Sequence, residues 1–132
     1  MENYTEMLRS HNLKATPQRL EITNALMVHG HLTIEKLYDI LLSKFNSISL
    51  ATIYKNINLM IESAFIQEVK IPKAKSVYEL TKETHSHMAC EKCGHVEDIT
   101  IDLSTITNLD AKTDFQIKKV DVVLSGLCKN CQ

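Results

Sequence analysis

An α+β chain in two parts is what this 132-residue sequence predicts, and three observations carry the prediction. Stretches with 3.6-residue apolar periodicity follow one another up to residue 64. Two short runs of alternating apolar residues come next. Four cysteines then stand in two C-x2-C pairs, confined to residues 90–131. The hydrophobic fraction of 44%, with three Gly and two Pro, excludes disorder and low complexity. No apolar run approaches the roughly 18 residues of a membrane span, and Met1 to Ser10 lacks the apolar stretch of an export signal. A cytoplasmic chain with no membrane partner is therefore expected.

The elements are justified in order. Asn3 to His11 reads as a short helix carrying Met7 and Leu8. Thr16-Pro17 is a strong helix start, Thr capping and Pro standing where its missing N–H costs nothing. That helix carries Leu20, Ile22, Ala25, Leu26 and Met27, and Gly30 stops it. Thr33 opens the next helix, with Glu35 in its first turn and Ile34, Leu37, Tyr38, Leu41, Leu42 and Phe45 at helical spacing. Ser49 opens a third long helix, whose stripe is Leu50, Ile53, Ile57, Met60, Ile61 and Ala64. Thr52, Lys55 and Asn56 face the other way, Tyr54 lies at the rim, and Leu59 interrupts the polar face. Phe65 to Ile71 and Ser76 to Leu80 form a hairpin around Pro72-Lys73-Ala74-Lys75. Beyond it, Val96 to Ile101 reads as a strand, Leu103 to Leu109 as a short helix, and Phe115 to Leu124 as a β-branched strand.

Helices followed by a hairpin describe a winged helix-turn-helix over residues 1–81, with its last helix placed to enter a major groove. Residues 82–132 form a second, small α/β domain. The net charge of −1 argues against coating nucleic acid by bulk electrostatics. Residues 1–82, however, hold ten Lys/Arg against eight Asp/Glu, and the remainder five against eight. Candidate DNA contacts are Ser49, Thr52, Tyr54, Lys55 and Asn56 on the last helix, Lys14 and Arg19 beside the Thr16 cap, and Lys73 and Lys75 on the wing. The competing reading is an ordinary amphipathic helical domain, whose surface always has a polar face.

Cys90, Cys93, Cys128 and Cys131 have the spacing of a tetrahedral four-thiolate zinc site. Two disulfides are the alternative, disfavoured in a reducing compartment. Four thiolates leave no open coordination position, so the zinc is structural and staples the small second domain. His85 and His87, two apart, project from one face of a strand, whereas Cys90 at odd spacing turns to the other. A second, sulfur-free metal site is the inference. Glu79, and Asp98 or Glu97, are the nearby carboxylates available to complete it, a donor set suited to Fe(II), Mn(II) or Zn(II). An isolated His-x-His is otherwise a pair of solvated strand residues. By spacing alone His31 is a loop residue, and His11, His29 and His95 have no special placement.

These stretches together resemble one family. Ala15-Thr16-Pro17-Gln18-Arg19, His31 before Thr33, Ser49-Leu50-Ala51-Thr52-Ile53-Tyr54-Lys55-Asn56, His85-Ser86-His87-Met88-Ala89-Cys90-Glu91-Lys92-Cys93-Gly94 and the closing Cys128 and Cys131 are similar, in this order, to the ferric uptake regulator family. The resemblance implies a homodimeric metalloregulator that binds a double-stranded DNA operator, with an N-terminal winged helix and a C-terminal α/β dimerisation domain. It implies structural zinc on the four cysteines, and regulatory Fe(II) or Mn(II) on His31, Glu79, His85, His87 and Asp98 between the domains. Asp98 resembles the peroxide-sensing branch, where iron-responsive members tend to carry Glu, whereas Glu79 departs from that branch's usual Asp. Ser86 replaces the acid that iron-responsive members place between the two histidines. The branch resemblance implies that Fe(II) and hydrogen peroxide oxidise His31 or His85, releasing metal and then DNA, while Mn(II) stays inert. An iron-responsive repressor without peroxide chemistry is the alternative. A metalloenzyme using His85, His87 and Asp98, and a zinc-stapled protein–protein module, are the rivals outside this class, and no independent acid/base pair supports the enzyme.

Overall fold

A computed structural model of the chain describes residues 3–83, 85–102 and 113–132. The chain divides into two compact units, Met1–Lys82 and Glu83–Gln132, with Lys82 in the first. The first unit contains α1 (Tyr4–Ser10), α2 (Pro17–His29), α3 (Ile34–Leu42), α4 (Leu50–Glu62), β1 (Ile66–Val69) and β2 (Val77–Leu80). Each helix start follows from its cap. Asn3, Thr16, Thr33 and Ser49 accept side-chain hydrogen bonds from the backbone N–H groups of Glu6, Arg19, Lys36 and Thr52. One core gathers Leu8, Ile22, Leu26, Leu37, Leu41, Ile53, Ile57 and Met60, all essentially inaccessible to solvent. Each such side chain contributes about 1.5–3 kcal/mol of burial.

The α4 stripe is narrower than the sequence predicts. Ile53, Ile57 and Met60 are buried, but Leu50 is 42% exposed in the first turn, before the helix meets the core. Ala64 lies beyond the helix end with φ 60°, and Met27 of α2 is partly exposed. The hairpin strands are shorter than their apolar runs. They pair antiparallel, Ile66 opposite Leu80, Gln67 opposite Glu79 and Val69 opposite Val77.

In the second unit, β3 (Ser86–Cys90) lies between β4 (Val96–Ile99), antiparallel to it, and β5 (Val123–Gly126), parallel to it. A 3-10 turn, Lys129–Cys131, ends the chain. The expected strand from Phe115 to Leu124 is corrected: pairing with β3 begins only at Val123, and Phe115 is 78% exposed. β-branched composition alone does not make a strand; pairing decides it. The expected helix from Leu103 to Leu109 lies outside the described residues. Among the described residues, no helix is long and apolar enough to cross a membrane.

Candidate functional site

The four cysteines converge at one end of the three-stranded sheet. β3 ends on Cys90, and a tight turn brings Cys93 back beside it. Gly94, at φ 78°, donates its N–H to the Cys90 carbonyl and so closes that turn. The 3-10 turn carries Cys128 and Cys131 to the same point, and all four Sγ atoms lie within 4.8 Å of one another. An ion held at about 2.3 Å by four sulfurs would set them about 3.8 Å apart. Cys93 and Cys128 Sγ are 3.8 Å apart, too far for a disulfide, and all four thiols are free. The donors therefore fit zinc. The backbone N–H groups of Cys93 and Cys128 donate to Cys90 Sγ at 3.5 and 3.4 Å. These donors hold the Cys90 thiol down at about 6. The Cys128 sulfur, followed by burial and the other two sulfurs, pushes Cys131 up to about 12. A metal binding here would displace the thiol protons, since the thiolate is the ligand.

Within the first unit, His31 is placed by two local devices. Gly30 ends α2 at φ 79°, ψ −64°, and the His31 N–H donates to the His29 carbonyl at 3.0 Å. This is the positive-φ γ-turn, a strained conformation that glycine tolerates. Leu32 then pairs with Tyr78 on the free edge of β2, through reciprocal backbone bonds of 3.1 and 2.8 Å. His31 Nε2 thereby comes to lie 2.7 Å from Glu79 Oε2. Glu79 is 1% exposed, the one buried acid in this strand pair. Gln67, its cross-strand partner, donates from Nε2 to Glu79 Oε1. Spacing alone marked neither His31 nor Gln67.

Within the second unit, Asp98 stands directly opposite His87 across β3–β4. Its Oδ1 lies 3.4 Å from His85 Nε2 and 3.5 Å from His87 Nε2. The two imidazoles meet edge to face, their centroids 4.5 Å apart, so both project from one side as the two-residue spacing predicts. His85 Nδ1 is 2.7 Å from the Glu83 carbonyl. That acceptor suits a proton on Nδ1, an arrangement in which Nε2, on the side of Asp98, could bind a metal. Two imidazole nitrogens and a carboxylate oxygen converging with no sulfur among them have the chemistry of a divalent-ion site. Glu97, the alternative carboxylate, is instead engaged with His95 at 2.8 Å on the exposed side.

The candidate DNA contacts are distributed over the first unit. Tyr54 and Lys55 are exposed on α4. Ser49 and Thr52 hydroxyls lie 2.9 Å apart at the helix start. Lys73 is exposed on the wing at φ 60°, while Lys75 Nζ is held 3.0 Å from Glu35 Oε1. Lys14 is exposed. Arg19 and Asn56 are half-buried and bonded to each other, Arg19 Nε donating to Asn56 Oδ1 at 3.0 Å.

Comparison with known proteins supplies a frame for this geometry. The model of the ferric uptake regulator family matches residues 10–125. A peroxide-responsive repressor, PerR, of Staphylococcus saprophyticus is 31% identical over 135 aligned positions, covering 100% of this chain and 91% of the relative. The Campylobacter jejuni peroxide stress regulator is similar in structure, with 35% identity, a TM-score of 0.73, and coverage of 99% of this chain and 100% of that one. The Vibrio cholerae ferric uptake regulator is similar at 28% identity and a TM-score of 0.79, covering 96% of this chain and 100% of its own.

Proposed function

The chain belongs to the ferric uptake regulator family of metal-responsive repressors, and on that premise we propose that it represses transcription as a peroxide sensor. It is a transcriptional regulator and not an enzyme. In this reading it acts in the cytoplasm as a homodimer on a double-stranded DNA operator. The exposed Met88, Leu124 and Leu127 of the second unit supply apolar surface for a second copy. The cysteines hold structural zinc. His31, Glu79, His85, His87 and Asp98 ligate a regulatory Fe(II) or Mn(II). DNA contacts come from Ser49, Thr52, Tyr54 and Lys55, with Lys14, Arg19, Lys73 and Lys75 on the backbone.

The observation that carries the reading is Asp98 facing both His85 and His87 with no sulfur in the set. A histidine–carboxylate set holds a divalent ion more loosely than four thiolates, which suits a ligand that must come and go. Such an ion shifts the equilibrium between DNA-binding and non-binding states only by its differential affinity for them. Bound Fe(II) would supply the activation of hydrogen peroxide. One peroxide oxygen would then enter the ring of His31 or His85 and the other would leave as water, removing a ligand and weakening metal binding. Similarity to peroxide-responsive relatives supports this branch. Glu79, with its longer arm, favours the second reading, a plain iron-responsive repressor.

The test is a gel shift of purified chain with Fe(II), Mn(II) or no metal, with and without micromolar peroxide. Peroxide is expected to release the Fe(II) form alone, with an added oxygen on the His31 or His85 peptide by mass spectrometry. Release of neither form, or of both, would leave the iron-responsive reading. Unchanged DNA affinity with every metal would overturn both.

A further inference from the structure

We propose that Asn56 is a positioning residue for the Arg19 guanidinium rather than a reader of base edges. The inference rests on the DNA-binding reading above and assigns roles inside it. Asn56 lies on α4 among residues expected to reach the major groove. An asparagine that reads adenine needs both ends of its amide, the NH2 as donor and the oxygen as acceptor. Here each end already holds a partner within the protein, and the two bonds fix the direction in which the amide faces. Asn56 Oδ1 accepts from Arg19 Nε at 3.0 Å, and Nδ2 donates to the Thr52 carbonyl one helical turn back, at 3.0 Å.

The arrangement does for Arg19 what it denies to Asn56. Arg19 Nη1 also donates to the Lys14 carbonyl, at 3.2 Å. Two bonds on two sides of the planar group fix its orientation, and the side chain is half-buried between the start of α2 and the face of α4. A guanidinium has five N–H donors, so the remaining ones are presented in a fixed direction. This suits a phosphate oxygen, which a planar donor fork meets bidentately. The ordering of a long, flexible side chain is then complete before DNA arrives, and that ordering is a recurrent cost of binding. The expected gain is about three- to tenfold in affinity per bound chain, the same on every sequence.

The test uses the full-length, metal-loaded chain and a duplex selected by it from a randomised pool, with all single-base-pair variants of that duplex. Anisotropy titrations are run across a salt series. Asn56→Ala is expected to weaken every duplex by one common factor of about three to ten, leaving base preferences and the salt slope unchanged. Arg19→Ala is expected to reduce the salt slope by about one per bound chain. The double substitution should be no weaker than Arg19→Ala alone. Asn56→Asp, which keeps an acceptor for Arg19 Nε but neutralises it, should preserve base preferences and reduce the slope as Arg19→Ala does. It also serves where Asn56→Ala lowers the yield of folded chain. Loss of discrimination at one base pair in Asn56→Ala, or losses that multiply in the double variant, would overturn the assignment. Failure of the unsubstituted chain to select any duplex would instead overturn the DNA-binding reading itself.

Discussion

Gly30→Ala isolates the strain in the turn that delivers His31. A Cβ built at Gly30 has no heavy atom within 4 Å, so no clash contributes. What remains is torsional: φ 79°, ψ −64° lies outside even the left-handed helical region that other residues visit. Holding an L-residue there costs about 1–3 kcal/mol. Reduced freedom of the unfolded chain returns about 0.4–1 kcal/mol. The net loss is about 1–2 kcal/mol, or roughly 5–15 °C in the melting of an 82-residue unit. Should the turn relax instead of bearing the strain, His31 moves from Glu79. The melting temperature then recovers while Mn(II) affinity falls about tenfold, since 1.4 kcal/mol is a factor of ten. Thermal circular dichroism and a chelator-competition titration on one preparation measure both. Gly126→Ala is the control, its Cβ equally unopposed but its φ outside the positive range; it should change neither. A Gly30→Ala chain that melts and binds Mn(II) like its parent would refute the argument from strain.

Three other perturbations test the separate parts. Removing zinc with a strong chelator, or substituting Cys131→Ser, should abolish the sheet signal of the second unit, because structural zinc supplies about 10–16 kcal/mol, as much as a whole domain's stability. Retained structure at negligible zinc content would contradict this. Gln67→Leu removes the donor that holds Glu79 Oε1, and should weaken Mn(II) binding about 10–100-fold while zinc content stays constant; unchanged affinity would show that Glu79 needs no such support. Glu35→Gln releases Lys75 from its ion pair, so that DNA binding no longer has to break it, and should tighten binding about two- to fivefold. The pair also has a pH signature. Its hydrogen bond from Lys75 holds the Glu35 carboxyl below the usual range. The small stabilisation is therefore complete above ordinary carboxylate values and is lost only as pH falls through the lowered one. An acid titration of Glu35 by NMR that shows no such lowering would break that link.

The helical half could be read from the sequence because its signals are local. Thr16-Pro17, Thr33 and Ser49 cap where hydroxyl side chains reach back to the third amide, whatever the rest of the chain does. The thiol cluster was equally readable, since two tight turns need only their own spacing. Failures occurred where an outcome depended on distant pairing. A hairpin symmetric about Pro72–Lys75 would set Glu79 opposite Glu68. The observed register is one residue away, and such a shift turns each side chain to the other face. It is this shift that brings Gln67 to Glu79. His31 was silent for a similar reason, its position being decided by a backbone pairing of Leu32 with Tyr78, 46 positions on by number. The β-branched run from Phe115 to Leu124 promised a long strand, but the paired strand takes in only its last two residues, Val123 and Leu124.

Strand β3 carries His87 near its start and Cys90 at its end. It therefore resembles a measuring rod clamped at one tip: where the thiol end is held decides which way the imidazole points. Loosening the clamp by one notch would aim His87 away from Asp98, because neighbouring positions on a strand look in opposite directions. An oxidant that consumed the thiols would release that tip, and would then disturb the histidine end without touching it.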